Sequence, residues 1–303
     1  MKLRSLALAA LVVGAAGIGA FAWATAPARS AAESWQGLGE PDLANGERVF
    51  SEGGCSSCHA AAGAGEEGRL VLAGGAPLKS PFGTFYPPNI SPDPKAGIGG
   101  WSLQDFGDAM LRGVGRRGEH LYPAFPYASY ARMTPRDVND LYGYLKTLPA
   151  SGNVAPPHEL PFPFNFRPLL GAWKFLYLND APRVVLANSD AKIERGQYLV
   201  EGPGHCGECH TPRTLLGGLE TDRWLAGAPN PEGGAGRVPN ITSGAGGIGG
   251  WSASDIASYL ETGFTPDYDS VGGAMVAVQK NMARLPAADR EAIAAYLKAI
   301  PGH

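Results

Sequence analysis

Apolar positions are arranged along this chain in three ways, and each arrangement predicts a different kind of element. The first is an unbroken run. From Leu6 to Ala24 no charged residue occurs, which reads as one apolar helix. A cleaved export signal has an apolar core of roughly 7 to 15 residues and a bilayer-spanning helix needs about 20, so the run lies near the second value. Lys2 and Arg4 precede it and no Lys or Arg recurs until Arg29, a bias that leaves the N-terminus inside and the body of the chain outside the membrane. Length favours a retained anchor. Ala24-Thr25-Ala26 resembles a cleavage site, although Pro27 follows at once, so a soluble exported chain is the alternative.

The second arrangement is helical periodicity in short stretches. Val138, Leu141, Tyr142 and Leu145 line one face, and Ile293, Tyr296, Leu297 and Ile300 line another. Each stretch has a proline near its first position, Pro135 or Pro286, and an acid in its first turn, Asp137 or Asp289. Pro149 and Pro301 end them. Two further stretches open with the capping-box patterns Ser102-x-x-Asp105 and Ser252-x-x-Asp255, carry Phe106 and Met110 or Ile256 and Leu260, and stop at Gly113 or Gly263. The third arrangement is an apolar segment broken by proline. Seven prolines fall between Pro149 and Pro182, which excludes continuous helix or sheet. Within them, Leu169 to Leu178 is apolar but too short to cross a bilayer. It is expected to pack between the halves of the chain, with contact at a membrane surface as the alternative.

These features occur in pairs. Pro88-Asn89-Ile90 matches Pro239-Asn240-Ile241, and Gly97-Ile98-Gly99-Gly100-Trp101-Ser102 matches Gly247-Ile248-Gly249-Gly250-Trp251-Ser252, at an offset of 150 between the tryptophans. One unit has been duplicated. The expected organisation is an anchor or signal segment (1–35), a first domain (36–150), a Pro-rich linker (151–187) and a second domain (188–303).

All four cysteines fall in two copies of Cys-x-x-Cys-His, Cys55-Ser-Ser-Cys58-His59 and Cys206-Gly-Glu-Cys209-His210. This is the attachment pattern of c-type haem. Two thiols form thioethers to the porphyrin vinyls while the adjacent imidazole ligates iron. Two covalently bound haem c groups are therefore expected, with His59 and His210 as axial ligands. Zinc needs four converging ligands, and disulfides give no reason for a histidine after each pair. Composition agrees: 43 glycines and 26 prolines suit loops wrapped about a cofactor, which also supplies an apolar centre to units small for a core of their own. A net charge of −3 offers no basic stripe, which excludes nucleic acid as a partner.

The order of elements resembles the class I cytochrome c fold over roughly residues 40–150 and 188–303. It predicts a mainly α protein with two such domains in tandem after the N-terminal helix. Leu121-Tyr122-Pro123-Ala124-Phe125-Pro126-Tyr127 and Gly204-His205-Cys206-Gly207-Glu208-Cys209-His210-Thr211-Pro212-Arg213 are similar to the diheme cytochrome c subunits that accompany periplasmic dehydrogenases. The resemblance implies electron transfer. The donor would be a periplasmic dehydrogenase and the acceptor a quinone, an oxidase or a soluble cytochrome, with the chain held to the membrane by its N-terminal helix. It also implies a methionine opposite each histidine, since a thioether favours reduced iron. Met275 stands where the resemblance puts the ligand loop of the second half, with Met282 as its rival. At the same offset the first half has Phe125, which cannot ligate iron. Met133, aligned with Leu285 after a two-residue slip, is the expected ligand there, as in resembling sequences that carry Phe at the earlier position. His120 and Met110 are weaker candidates, and an open first haem would suit a diheme enzyme such as a thiosulfate dehydrogenase or a peroxidase. Trp101, Trp251 and Arg213 are candidate contacts to haem propionates, and Asn89 and Asn240 to the loops around them.

Overall fold

The computed structural model describes residues 2–230 and 236–303 and is mainly helical. Helix α1, Lys2–Ala24, carries the unbroken apolar run. Leu6, Leu11, Val13, Ile18 and Trp23 along it are exposed, and Leu6–Ala24 is long and apolar enough to cross a membrane. The chain that leaves α1 is fastened to the body at once. Thr25 carbonyl oxygen lies 2.8 Å from His120 Nε2, the Arg112 side chain donates to the Ala28 carbonyl, and Arg29 and Ser30 bond Asp108, which is fully buried.

The first core lies around α2 (Leu43–Glu52), α3 (Cys55–His59), α4 (Leu103–Arg112), α5 (Tyr127–Tyr130) and α6 (Pro135–Thr147). Asp42 caps α2 by accepting from the amides of Ala44 and Asn45. Helix α2 then crosses α6 at Gly46, where a β-carbon would stand 2.1 Å from the Asp140 carbonyl oxygen. The capping box of Ser102 and Asp105 starts α4, and Gly113, at φ 59°, ends it. Val49, Phe50, Phe106, Met110, Val138, Leu141 and Leu145 meet inside.

After the linker helix α7 (Leu169–Tyr177), the second core forms from α8 (Ala191–Glu201), α9 (Gly207–His210), α10 (Ala253–Thr262), α11 (Met275–Met282) and α12 (Ala287–Ala299). Gly196 on α8 sits against α12, a β-carbon there standing 1.9 Å from the Ala292 carbonyl oxygen. The capping box of Ser252 and Asp255 and the left-handed Gly263 bound α10 as their counterparts bound α4. Leu199, Val200, Ile256, Leu260, Ile293 and Leu297 occupy the corresponding core positions.

The structure adds to the periodicity in three places. Each long loop holds a short antiparallel hairpin, β1 (Leu78–Ser80) with β2 (Gly83–Phe85) and β3 (Ala228–Pro229) with β4 (Arg237–Val238); two or three residues are too few to register as alternation. The segments before the last helices, read as loops, contain α5 and α11, and Pro286, expected near the start of α12, is its N-cap. Helix α7 lies on both halves with one side only. Lys174 Nζ donates to the Gly113 carbonyl and Trp173 Nε1 to the Leu216 carbonyl, while Phe175 and Leu176 stay exposed.

Candidate haem sites

In each half the helix before the motif ends on a turn that aims the motif at the core. Gly54, just before Cys55, adopts a left-handed φ of 55°, and His205, just before Cys206, adopts 39°. A histidine there carries strain that glycine escapes. Its Nε2 lies 3.3 Å from the Gly53 carbonyl oxygen and its ring stands edge-on to Tyr130, so contact with the first half holds it. The single turns α3 and α9 then carry the motifs, with Cys206 as the N-cap of α9.

The histidines are oriented identically. His59 Nδ1 lies 2.8 Å from the Pro88 carbonyl oxygen, and His210 Nδ1 lies 2.8 Å from the Pro239 carbonyl oxygen. With Nδ1–H donating to a carbonyl, Nε2 is left as the basic nitrogen, the second contact that fixes a metal-binding imidazole. Around each, the backbone repeats bond for bond. Gly74 N donates to the His59 carbonyl and Ile90 N to the Leu72 carbonyl; Gly227 N donates to the His210 carbonyl and Ile241 N to the Leu225 carbonyl. Burial lowers the pKa of both imidazoles, keeping them neutral as ligation requires. The proline carbonyls were not singled out from sequence. The constant spacing of 29 residues from histidine to proline in both halves was the available signal.

The cysteines fit thioethers better than a thiolate metal site. Cys55 and Cys206 are half-buried, and burial, with the neighbouring cysteine, pushes both thiols up to about 12. None of the four is in a disulfide. Among the described residues no group of three or more Cys, His, Asp or Glu converges to hold an ion. Tethers at the rim of a flat macrocycle and an imidazole at its centre need no such convergence.

Met133 is buried in the first core, against which Cys55 packs. Met275, the first residue of α11, is half-buried beside the second core, as is Cys206. Met282 is buried within that core. The chain paths before α6 and α12 superimpose bond by bond: Met133 N donates to the Tyr130 carbonyl as Leu285 N donates to the Met282 carbonyl. Met133 thus occupies the slot of Leu285, and Tyr130 the slot of Met282. Phe125 stacks edge-on against Tyr130. His120 is buried rather than solvated, and its Nε2 faces the Thr25 carbonyl. Met110 belongs to the core face of α4.

Other side chains near the motifs are spoken for. Arg213 donates to the Gly217 carbonyl and to Glu208, and Glu208 also accepts from Ser129 Oγ at 2.7 Å, across the two halves. Burial opposes ionisation of Glu208, but Arg213 and these hydrogen bonds hold its carboxyl below the ordinary range. Asn89 donates to the carbonyls of Ser151 and Asn153, and Asn240 to that of His303, so both tie a haem-side loop to the chain beyond the last helix of its half. Asn281 Nδ2 donates to Ser57 Oγ at 3.0 Å, inside the first Cys-x-x-Cys.

The family model for cytochrome c matches residues 43–149. A diheme cytochrome c-type protein of Cereibacter sphaeroides is 53% identical over 291 residues, 96% of this chain and 95% of the relative. The fructose dehydrogenase cytochrome subunit of Gluconobacter japonicus is 38% identical over 86% of this chain and 53% of its own length. The cytochrome c subunit of a quinone-type alcohol dehydrogenase of Gluconobacter oxydans is 34% identical over 88% of this chain and 56% of its own length. The chain thus spans about half of these two dehydrogenase subunits and nearly all of the first relative. Motif, histidine orientation and relatives agree on covalently bound haem c, and the chain belongs to the family of diheme c-type cytochromes.

Proposed function

We propose that this chain is a two-haem electron carrier that takes electrons from a periplasmic dehydrogenase and delivers them to a respiratory acceptor, a quinone, an oxidase or a soluble cytochrome. Its working units are two tandem class I cytochrome c domains, residues 36–150 and 188–303, joined by the Pro-rich linker. The observation that carries the reading is the duplicated histidine geometry, Nδ1 at 2.8 Å from a proline carbonyl in both halves. Haem c held there would supply a one-electron ferric–ferrous couple. Cys55 and Cys58 would tether one group and Cys206 and Cys209 the other. His59 and His210 would present Nε2 to iron, and Met133 and Met275 would supply the opposite thioethers. Met133 is buried in the core against which Cys55 packs, which supports it as the sixth ligand there.

The two motifs adjoin each other across the halves through Asn281 and Ser57, His205 and Gly53, and Glu208 and Ser129. That contact supports electron exchange within the chain. Retention of α1 as an anchor is supported by the chain that follows it. Cleavage after Ala26 would take the Thr25 carbonyl away from the Nε2 of buried His120, whose Nδ1 already lacks a hydrogen-bond partner. Two haems per chain, measured as haem iron against protein, should fall to one when Cys206 and Cys209 are both replaced by Ser. A dehydrogenase should accompany the chain from membranes, and its substrate should reduce the haem. A ratio of one in the native protein, or haem that no accompanying dehydrogenase reduces, contradicts the proposal.

A further inference from the structure

The linker turns an apolar surface outward beside the end of α1. Phe162 is 81% exposed, Phe175 85% and Leu215 99%, and Phe166, Leu176 and Leu216 are exposed with them. Contacts join the two segments that carry them at two points. Trp173 Nε1 holds the Leu216 carbonyl at 2.9 Å, and Phe82 joins Phe164 edge-on at 5.1 Å while lying against Gly217. Its position is set by α1. A β-carbon on Gly171 would stand 2.2 Å from the Thr25 carbonyl oxygen, so α7 rests on the first residue after that helix. Phe175 lies one turn along the same face of α7. Trp23, 84% exposed, stands in the last turn of α1 two residues before Thr25, and tryptophan is enriched where a spanning helix meets the headgroups.

Charge is withheld from this surface. From Leu160 to Leu178 the only charged residues are Arg167 and Lys174, and both turn toward the protein. Arg167 donates to the His120 carbonyl at 2.6 Å with its guanidinium 4.4 Å from the Tyr122 ring centre. Lys174 donates to the Gly113 carbonyl at 2.6 Å with Nζ 5.1 Å from the Tyr127 ring centre. A water-facing helix would direct these cations outward, as solvation of charge requires. Scattered exposed apolar residues are ordinary, but a contiguous group with its cations turned inward marks a contact surface.

We propose that the Phe162–Leu176 segment, with Leu215 and Leu216, is a second membrane contact that seats in the headgroup region of the bilayer beside α1. The proposal rests on the retained anchor. A helix tip held against α7 leaves this face beside the bilayer, whereas a protein partner would have to enter between the two. The contact would fix the tilt of the body over the membrane as well as its distance from it.

The test uses the full-length haem-loaded protein, without a dehydrogenase, in phosphatidylcholine–phosphatidylglycerol nanodiscs. Single cysteines are introduced by Phe162→Cys, Phe175→Cys and, as an exposed control on α12, Ala288→Cys. Leu215→Cys replaces either linker variant that lacks a c-type absorption spectrum. Reaction with a water-soluble maleimide should be on the order of ten-fold slower at the linker sites than at the control, as burial at an interface blocks aqueous reagents. Equal rates overturn the proposal, as does protection that appears only when the dehydrogenase is added. A purified chain whose N-terminal mass shows α1 removed contradicts the anchor alone. The same rates are then read on vesicles of these lipids, where slow reaction still supports the contact and control-rate reaction overturns it.

Discussion

Glu52 shows how one residue joins the two halves. It is buried three positions before Cys55, accepts from Arg195 of α8 at 2.9 Å through Oε1, and leaves Oε2 without a hydrogen-bond partner. Burial outweighs the attraction of Arg195, which Asp289 shares, and pushes the carboxyl up to about 8 from its ordinary 4.5; Asp137 adds to the rise and Arg48 opposes it. The sign of the consequence follows from proton linkage. Between about pH 4.5 and about pH 8 the folded chain holds a proton that the unfolded chain has released, so this residue's contribution to stability falls as pH rises through that window. Denaturant midpoints for the wild type and Glu52→Gln should therefore diverge with pH, the wild type losing stability relative to the variant from pH 5 to pH 8. A difference independent of pH contradicts the assignment. At this scale the Cys-x-x-Cys-His spacing was legible in the sequence, and the structure adds a proline carbonyl beside His59 and His210. Glu52 was not legible, because its environment is made by a helix some 140 positions away in the chain.

Helix ends and crossings repeat with more fidelity than the ligands do. Both middle helices keep a capping box and a left-handed glycine stop, and both outer pairs, α2 with α6 and α8 with α12, cross at a glycine. In an exposed helix, Gly→Ala stabilises by about 1 kcal/mol. At Gly46 and Gly196 the sign reverses, because the methyl group would enter a backbone carbonyl. Forced overpacking of this kind costs about 1–3 kcal/mol. Gly46→Ala and Gly196→Ala should each lower the thermal midpoint of the haem-loaded protein, and an increase in either would refute the close crossing. Periodicity and caps made α4, α6, α10 and α12 readable. It could not show that α5 and α11 differ in length, four residues against eight, in the segment where the two-residue slip relating Met133 to Leu285 falls. Nor could it show that the crossings need glycine, because a tertiary contact leaves no local pattern.

Across the whole molecule, the paired segments form two similar cores that meet at a shared boundary. The motifs adjoin at that boundary, and strain at His205, where the first half has Gly54, is held by contacts with Gly53 and Tyr130 of the other half. The pairing of halves was readable from the repeated Pro-Asn-Ile and Gly-Ile-Gly-Gly-Trp-Ser phrases, but their mutual placement was not. It depends on polar contacts such as Asn281 with Ser57, whose partners look like ordinary surface residues in sequence. Two unequal His/Met sites are proposed to serve one carrier. EPR of the oxidised full-length protein tests this proposal most directly. Two low-spin haem signals are expected, with Met133→Ala abolishing one and Met275→Ala the other. A high-spin haem in the wild type that binds thiosulfate or peroxide, or a Met133→Ala protein with both low-spin signals intact, would contradict it.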